Sequence, residues 1–86
     1  MTTPRRGTDA IEIVDTALGF AVRREIFTVD EAMDLLRGAQ NKVQHASAAV
    51  IAPIVTSAEY SYRATSLVDR SRVVDPLLDM RLALSA

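Results

Sequence analysis

The sequence predicts an all-α fold of three to four helices, and three observations point to this class. The chain has 86 residues, of which 49% are hydrophobic and 24% are charged, a composition that suits one globular domain. Its apolar residues recur every three to four positions, as they do on one face of a helix. Signals for helix starts recur along the chain, whereas neither strand alternation nor an internal repeat is evident. We therefore predict a disordered tail over residues 1–8 and a single helical domain over 9–86, a hairpin or bundle that oligomerisation completes.

The first helix is predicted over about residues 9–26. Asp9 can cap its N-terminus, because Glu12 stands three residues later and completes a capping box. Apolar side chains cover most of the helix circumference and leave only a narrow polar stripe. A face that wide needs more than one neighbouring helix to cover it.

The second helix is predicted to begin at Thr28. The stretch "TVDE" forms a second capping box, with Thr28 as the N-cap and Glu31 at the reciprocal position. The carboxylates of Asp30, Glu31 and Asp34 also suit the positive end of the helix dipole.

A regular apolar seam follows along this helix. Its 4-3-4-3-4 spacing is typical of coiled-coil packing, and its alanines let two helix axes approach closely. Two interpretations stay open, a core face within one chain and a seam shared with a second chain. The seam consists of Ala32, Leu36, Ala39, Val43, Ala46 and Val50.

Pro53 predicts an interruption, because a proline inside a helix removes a backbone hydrogen bond and kinks or ends the helix. The stretch "TSAE", residues 56–59, then forms a third capping box before a helix over about 57–73. Either the second and third helices are separate, with a break near 52–56, or they form one kinked rod over about 29–73. We favour a break or sharp kink near Pro53, since a compact domain of this size could not bury a straight rod.

The C-terminal stretch "VVDPLLDMRLALSA" predicts a short last helix that reaches about Leu84. Asp75 would cap this helix and Pro76 would take its first position. The stretch holds more leucine than a free tail can expose to water, so it must dock on its own bundle or on a partner. The docking residues are predicted to be Leu77, Leu78, Leu82 and Leu84.

The sequence offers little for catalysis. It contains no cysteine, which excludes disulfides, thiolate catalysis and cysteine-based metal sites. The single histidine, His45, has no partner at catalytic or metal-ligand spacing. We therefore predict that the protein is not an enzyme and has no catalytic residue, metal site or cofactor.

The sequence also predicts a cytoplasmic protein that does not enter a membrane. The N-terminal residues are polar and do not form a signal peptide. The longest uncharged run, residues 43–58, is shorter than the roughly 20 apolar residues that span a bilayer. The absence of cysteine fits a reducing compartment.

DNA binding is not expected. The net charge is −1, and the N-terminal part of the second helix carries three carboxylates, which would repel phosphates.

The stretch "VDTALGFAVRREIFTVDEAMDLLRGA" resembles the ANTAR domain, a small three-helix RNA-binding module of bacterial antiterminators. The resemblance covers residues 14–55. It rests on Ala17-x-Gly19, on the apolar Phe20 and Val22, on Ala32 and Leu35-Leu36-Arg37, and on Val50, Ile54 and Val55. It implies binding to RNA hairpins, with the basic contacts made by Arg23, Arg24, Arg37 and Lys42.

The excess of apolar surface favours a different function, a small helical protein–protein interaction or assembly module. We expect this module to self-associate, most simply as a two-fold dimer, or to dock as a small subunit of a larger complex. The seam from Ala32 to Val50 and the four C-terminal leucines are the predicted interface. RNA binding is the alternative.

Overall fold

The chain alternates helices with two very short strands. The computed structural model describes residues 6–85, with side chains from residue 10 onward. The elements are α1 (Arg6–Ala21), β1 (Ile26–Thr28), α2 (Val29–Lys42), α3 (His45–Tyr62), β2 (Leu67–Asp69) and α4 (Arg70–Ser85). The predicted all-α class is confirmed, since the four helices hold most of the described residues and the two strands only three residues each.

The ends of α1 differ from the prediction. Residues 1–5 of the predicted tail lie outside the described residues, whereas residues 6–8 already belong to α1. Asp9 is therefore inside the helix and is not its N-cap. The helix ends at Ala21 and does not reach residue 26. It ends there because β1 follows after a short turn and directs the side chain of Phe27 into the core.

The predicted start of α2 is confirmed. The backbone N–H of Glu31 donates to Thr28 Oγ1 at 3.1 Å, and the backbone N–H of Thr28 donates to Glu31 Oε1 at 2.9 Å. The capping box therefore satisfies two backbone donors that the first turn of a helix would otherwise leave unpaired.

The predicted break near 52–56 is wrong, and so is the alternative of one rod over about 29–73. The chain leaves the helical conformation at Val43 and Gln44, which are both extended, with ψ angles of 162° and 159°. Pro53 lies inside α3, and the "TSAE" stretch that follows it is helix interior. The proline is tolerated because the carbonyl that it leaves without a donor belongs to Ala49, an exposed residue that water can reach.

The predicted helix start at Asp75 and Pro76 is also wrong, since α4 begins at Arg70 and Pro76 lies within it. Here the carbonyl without a donor belongs to Arg72, four residues before the proline. The hydroxyl of Tyr62 donates to this carbonyl at 2.6 Å. A side chain of α3 therefore supplies the hydrogen bond that the backbone of α4 cannot make.

The two strands pair antiparallel and form a ribbon, with Phe27 opposite Val68 at its centre. The backbone N–H of Arg70 extends the pairing by donating to the carbonyl of Glu25 at 2.8 Å. Strands of three residues are too short to show alternation in the sequence, which is why none was predicted.

The ribbon lies at the centre of an internal repeat, which the sequence analysis missed. Residue 27 pairs with residue 68, which stands 41 positions later in the chain, and the same shift carries α1-β1-α2 onto α3-β2-α4. The sixteen buried hydrophobic side chains among the described residues form eight pairs under this shift. The pairs are Ala10 with Ile51, Val14 with Val55, Ala17 with Ala58, Ala21 with Tyr62, Phe27 with Val68, Ala32 with Val73, Leu36 with Leu77, and Ala39 with Met80. The fold is thus two helix–strand–helix halves related by an approximate two-fold axis.

The alanine seam belongs largely to this core. Ala32, Leu36 and Ala39 are buried within the chain itself, and Val43 is partly buried at the end of α2. Ala46 and Val50 lie on α3 instead, and Val50 is exposed there, because the turn at residues 43–44 interrupts the helix that the seam required. The intramolecular interpretation therefore holds for the first three seam residues, which a second folded chain cannot reach.

Small core residues in the first half match larger ones in the second. Ala21 corresponds to Tyr62, and Ala39 corresponds to Met80. Each buried residue on α1 and α2 is either the same as its counterpart on α3 or α4 or smaller than it.

Candidate interaction surface

The four C-terminal leucines that were predicted to dock divide between the core and the surface. Leu77 is fully buried, and Leu84 packs partly buried against the core. Leu78 and Leu82 point outward from α4 and keep 44% and 69% of their surface exposed. Only these two are free to meet a partner.

An ion pair shows which residues of α4 and α1 lie at the same level. Arg81 Nε donates to Asp15 Oδ1 at 2.7 Å. The first helix runs towards the ribbon and α4 runs away from it, so the two are antiparallel. Both rise by about 1.5 Å per residue. Leu78 therefore lies level with Leu18, three residues from the ion pair along each helix.

Further apolar residues continue this surface on both sides of the Leu18–Leu78 level. Val22 is 52% exposed and lies level with the partly buried Val74, while Leu82 follows Arg81 directly. We call this surface the α1–α4 face. It comprises Asp15, Leu18, Val22, Val74, Leu78, Arg81 and Leu82.

The internal repeat provides a comparison for this face within the same molecule. The 41-residue shift relates it to the surface between α2 and α3, which we call the α2–α3 face. There Leu18, Val22, Val74, Leu78 and Leu82 correspond to Glu59, Arg63, Met33, Arg37 and Asn41. Four of these five counterparts are polar, and the Arg37 guanidinium donates to the Glu59 carboxylate at the level that Leu78 and Leu18 occupy in the α1–α4 face.

The α1–α4 face and the α2–α3 face can be compared position by position. The corresponding helices meet in both halves, although α1 packs more extensively on α4 than α2 does on α3, and a charged pair takes the Leu18 and Leu78 positions between α2 and α3. Leu18 and Val74 pack partly buried against the core, whereas Val22, Leu78 and Leu82 stay exposed, and burial in the core does not account for these three. Clusters of exposed apolar side chains without a role in the fold often mark interaction sites.

The one ion pair of the α1–α4 face has unused hydrogen-bonding capacity. The side chains of Asp15 and Arg81 are 45% and 46% exposed. Their bond uses one of the five N–H donors of the guanidinium and one of the two carboxylate oxygens. An exposed pair of this kind contributes only about 0–1 kcal/mol to stability. It is thus available for contacts with a partner.

The four residues that were predicted to contact RNA do not form one basic surface. Arg24 donates to both carboxylate oxygens of Glu31, at 2.7 and 3.0 Å, and this hydrogen bonding lowers the pKa of Glu31 to about 2. Arg37 is paired with Glu59. Arg23 and Lys42 are exposed, but they lie near opposite ends of α2. Two of the four positive charges are therefore neutralised locally.

Two surface grooves are also related by the repeat. The groove between α1 and α2 has a volume of about 230 Å³ and is largely apolar, with Ile13, Phe20 and Leu35 in its walls. Its counterpart between α3 and α4 has a volume of about 380 Å³ and is more polar, with Ser61, Arg72 and Asp79 in its walls. Within the described residues, no group of three histidine, aspartate or glutamate side chains is placed to hold a metal ion.

Comparison of the chain with protein-family models, with curated proteins and with solved structures gave no match. None of the described helices combines the length and apolar character that crossing a membrane takes.

The α4 residues Leu78 and Leu82 of the α1–α4 face were predicted from the sequence as docking residues, whereas the α1 residues Leu18 and Val22 were not. Leu78 and Leu82 stood out in a leucine-rich stretch, whereas Leu18 and Val22 were only two of many apolar residues on the first helix. Their spacing of four residues was a usable signal, because it places them on one side of α1, but nothing in the sequence showed which helix lies against that side.

Proposed function

We propose that the protein is a small helical interaction module that binds a protein partner through the α1–α4 face. The observation that carries this proposal is the contrast between the two halves of the repeat. Leu18 and Leu78 occupy the positions that a charged pair takes between α2 and α3, and Leu78 stays 44% exposed, so burial in the core does not account for the apolar character of Leu78.

The size of the face indicates what kind of partner it suits. Covering an apolar side chain fully is worth about 1.5–3 kcal/mol, so covering the exposed half of Val22, Leu78 or Leu82 is worth roughly 1 kcal/mol each. Association itself costs about 4–15 kcal/mol of lost freedom of motion. The partner must therefore bring an apolar surface of its own, as another protein does.

Photo-crosslinking from matched positions tests the proposal. A photoreactive amino acid placed at Leu78 should give an adduct with a protein in cells, whereas the same amino acid at Arg37, the equivalent position of the α2–α3 face, should not. Mass spectrometry of the adduct then identifies the partner. Equal yields from both positions, or no adduct from position 78, would contradict the proposal.

A double variant should abolish binding of the partner to the α1–α4 face. Leu18→Glu combined with Leu78→Arg copies the Glu59–Arg37 pair into the α1–α4 face. We expect this variant to keep the helical circular dichroism of the native chain, because the same pair is accommodated in the other half, and to lose the crosslinked adduct. Retention of the adduct in the folded double variant, with the photoreactive group moved to Leu82, would show that another surface binds the partner.

RNA binding stays the alternative. Its support is the ANTAR resemblance over residues 14–55 together with the exposed Arg23 and Lys42. The pairing of Arg24 and Arg37 with carboxylates weakens that support, because phosphate would have to compete with Glu31 and Glu59.

A further inference from the structure

We infer that the partner on the α1–α4 face is a second copy of this chain, related by a two-fold axis that runs parallel to α1 and α4. This inference rests on the proposed function of the face. It adds the identity of the partner and the orientation in which it binds.

The charges of the face are the first argument. Asp15 and Arg81 lie at one level, one on each helix, so the face presents one negative and one positive group side by side. A surface that meets its own copy must be complementary to itself. This face meets that condition, because each of its two charges has its opposite on the same face.

The same charges select the direction of the axis. When two copies meet face to face, the two-fold axis lies in the plane between them. If it runs parallel to the helices, α1 of one copy covers α4 of the other, and Asp15 faces Arg81 of the second copy. If it runs across the helices at the level of the ion pair, α1 covers α1 and Asp15 faces another Asp15. Opposite charges at this level favour the first arrangement.

The apolar residues fit the arrangement that the charges select. Rotation about an axis parallel to the helices keeps every residue at its own level. Leu18 and Leu78 therefore form one layer with their copies, and Val22 and Val74 form the next layer. Leu82, the most exposed residue of the face, lies on the other side of the Leu18–Leu78 layer and adjoins the ion pairs. The result is a four-helix contact in which every neighbouring pair of helices is antiparallel.

Sedimentation equilibrium of the full chain, from micromolar to millimolar concentration, tests the inference. The native protein should shift from the mass of one chain, 9.4 kDa, to twice that mass. Asp15→Arg and Arg81→Asp should each weaken the dimer by at least about tenfold, because each places like charges opposite one another. Glu59→Arg is the control, since it reverses a charge in the ion pair of the α2–α3 face and should leave the dimer unchanged.

Mixing the two charge variants gives the sharpest test. Asp15→Arg carries two positive groups in the face and Arg81→Asp carries two negative groups, so each should dimerise poorly alone but pair with the other. Recovery of the native affinity in an equimolar mixture supports the α1–α4 face as the contact between the two copies. A native protein that stays monomeric at millimolar concentration would overturn the inference, and so would single variants that dimerise like the native chain.

The failure of this inference can be told from the failure of the proposed function. An adduct from position 78 with a different, identified protein would overturn the second copy as partner and leave the interaction function in place. The absence of both adduct and dimer would overturn both.

Discussion

The hydrogen bond between Tyr62 and the carbonyl of Arg72 should stabilise the fold because of Pro76. In an ordinary helix that carbonyl would accept from the N–H of residue 76, which proline lacks. The Tyr62 hydroxyl takes this place at 2.6 Å, on a side chain that is only 1% exposed. Replacing Tyr62 by phenylalanine keeps the ring in the core and removes only the donor.

The expected cost follows from the environment of the bond. A hydrogen bond contributes about 0.5–1.5 kcal/mol net, and a fully buried acceptor left without any donor costs about 1–3 kcal/mol. The bond between Tyr62 and Arg72 is partly buried, so the lower part of that range applies. We expect Tyr62→Phe to lower the free energy of unfolding by about 1–2 kcal/mol. That is a large share of the roughly 4–13 kcal/mol expected for a domain of this length.

A double-mutant cycle isolates this mechanism. In a Pro76→Ala background the new N–H can donate to the carbonyl of Arg72, so Tyr62→Phe should cost about 1 kcal/mol less than it does in the native background. Pro53→Ala is the control, because Pro53 leaves the carbonyl of Ala49, and not that of Arg72, without its helical donor. The cost of Tyr62→Phe should therefore be the same in the Pro53→Ala background as in the native chain. Urea unfolding followed by circular dichroism measures all six proteins. An equal cost of Tyr62→Phe in the native and the Pro76→Ala backgrounds would refute this account of the proline.

Three further predictions follow from other parts of the molecule. The pKa of Glu31 is lowered from 4.5 to about 2 in the folded chain, so the stabilisation from its carboxylate is complete above pH 4.5 and is lost as the pH falls towards 2. The difference in melting temperature between the native chain and Glu31→Gln should therefore shrink over this interval, and a difference independent of pH would contradict the prediction. Ala39→Leu should destabilise the folded chain by about 1–3 kcal/mol in urea unfolding through overpacking of the core, whereas native stability would show that Ala39 is not confined. The RNA-binding alternative predicts a salt-dependent gel shift with structured RNA, weakened by Arg23→Ala and Arg24→Ala, and no shift at low salt would end it.

Local signals in the sequence predicted local structure well. The capping box at Thr28 depends only on residues within one turn, so its geometry could be predicted without knowing what α2 packs against. The helical class was also predictable, because the spacing of apolar residues reflects burial on one face of each helix.

Breaks between helices depended on contacts that the sequence does not show. Proline is the residue type that most strongly interrupts helices, yet α3 continues through Pro53. The actual turn at Val43 and Gln44 contains neither proline nor glycine, and the Gln44 side chain does not cap α3. The turn is set by the packing of α3 back onto α2. Likewise, Pro76 is accommodated within α4 by Tyr62 from a different helix.

The repeat was hidden because its halves share burial more than identity. Of the eight buried pairs, only those at Val14, Ala17 and Leu36 keep the same residue in the second half. In the other five pairs the two residues differ in type and size. A comparison of the two halves by residue type therefore does not detect the repeat at these positions. Packing about a two-fold axis tolerates such exchanges as long as the total volume is conserved.

The adjacent leucines of α4 show why hydrophobicity alone could not locate the candidate surface. Leu77 is fully buried, whereas Leu78 is 44% exposed, because neighbouring residues on a helix point in directions about 100° apart. Their counterparts in the first half are Leu36, which is also buried, and Arg37, which is paired with Glu59. The core position is thus apolar in both halves, while the outer position is apolar in one half alone. Leu77→Ala should therefore act on the stability of the fold, and a change at Leu78 should act on association, although the two residues are consecutive in the chain.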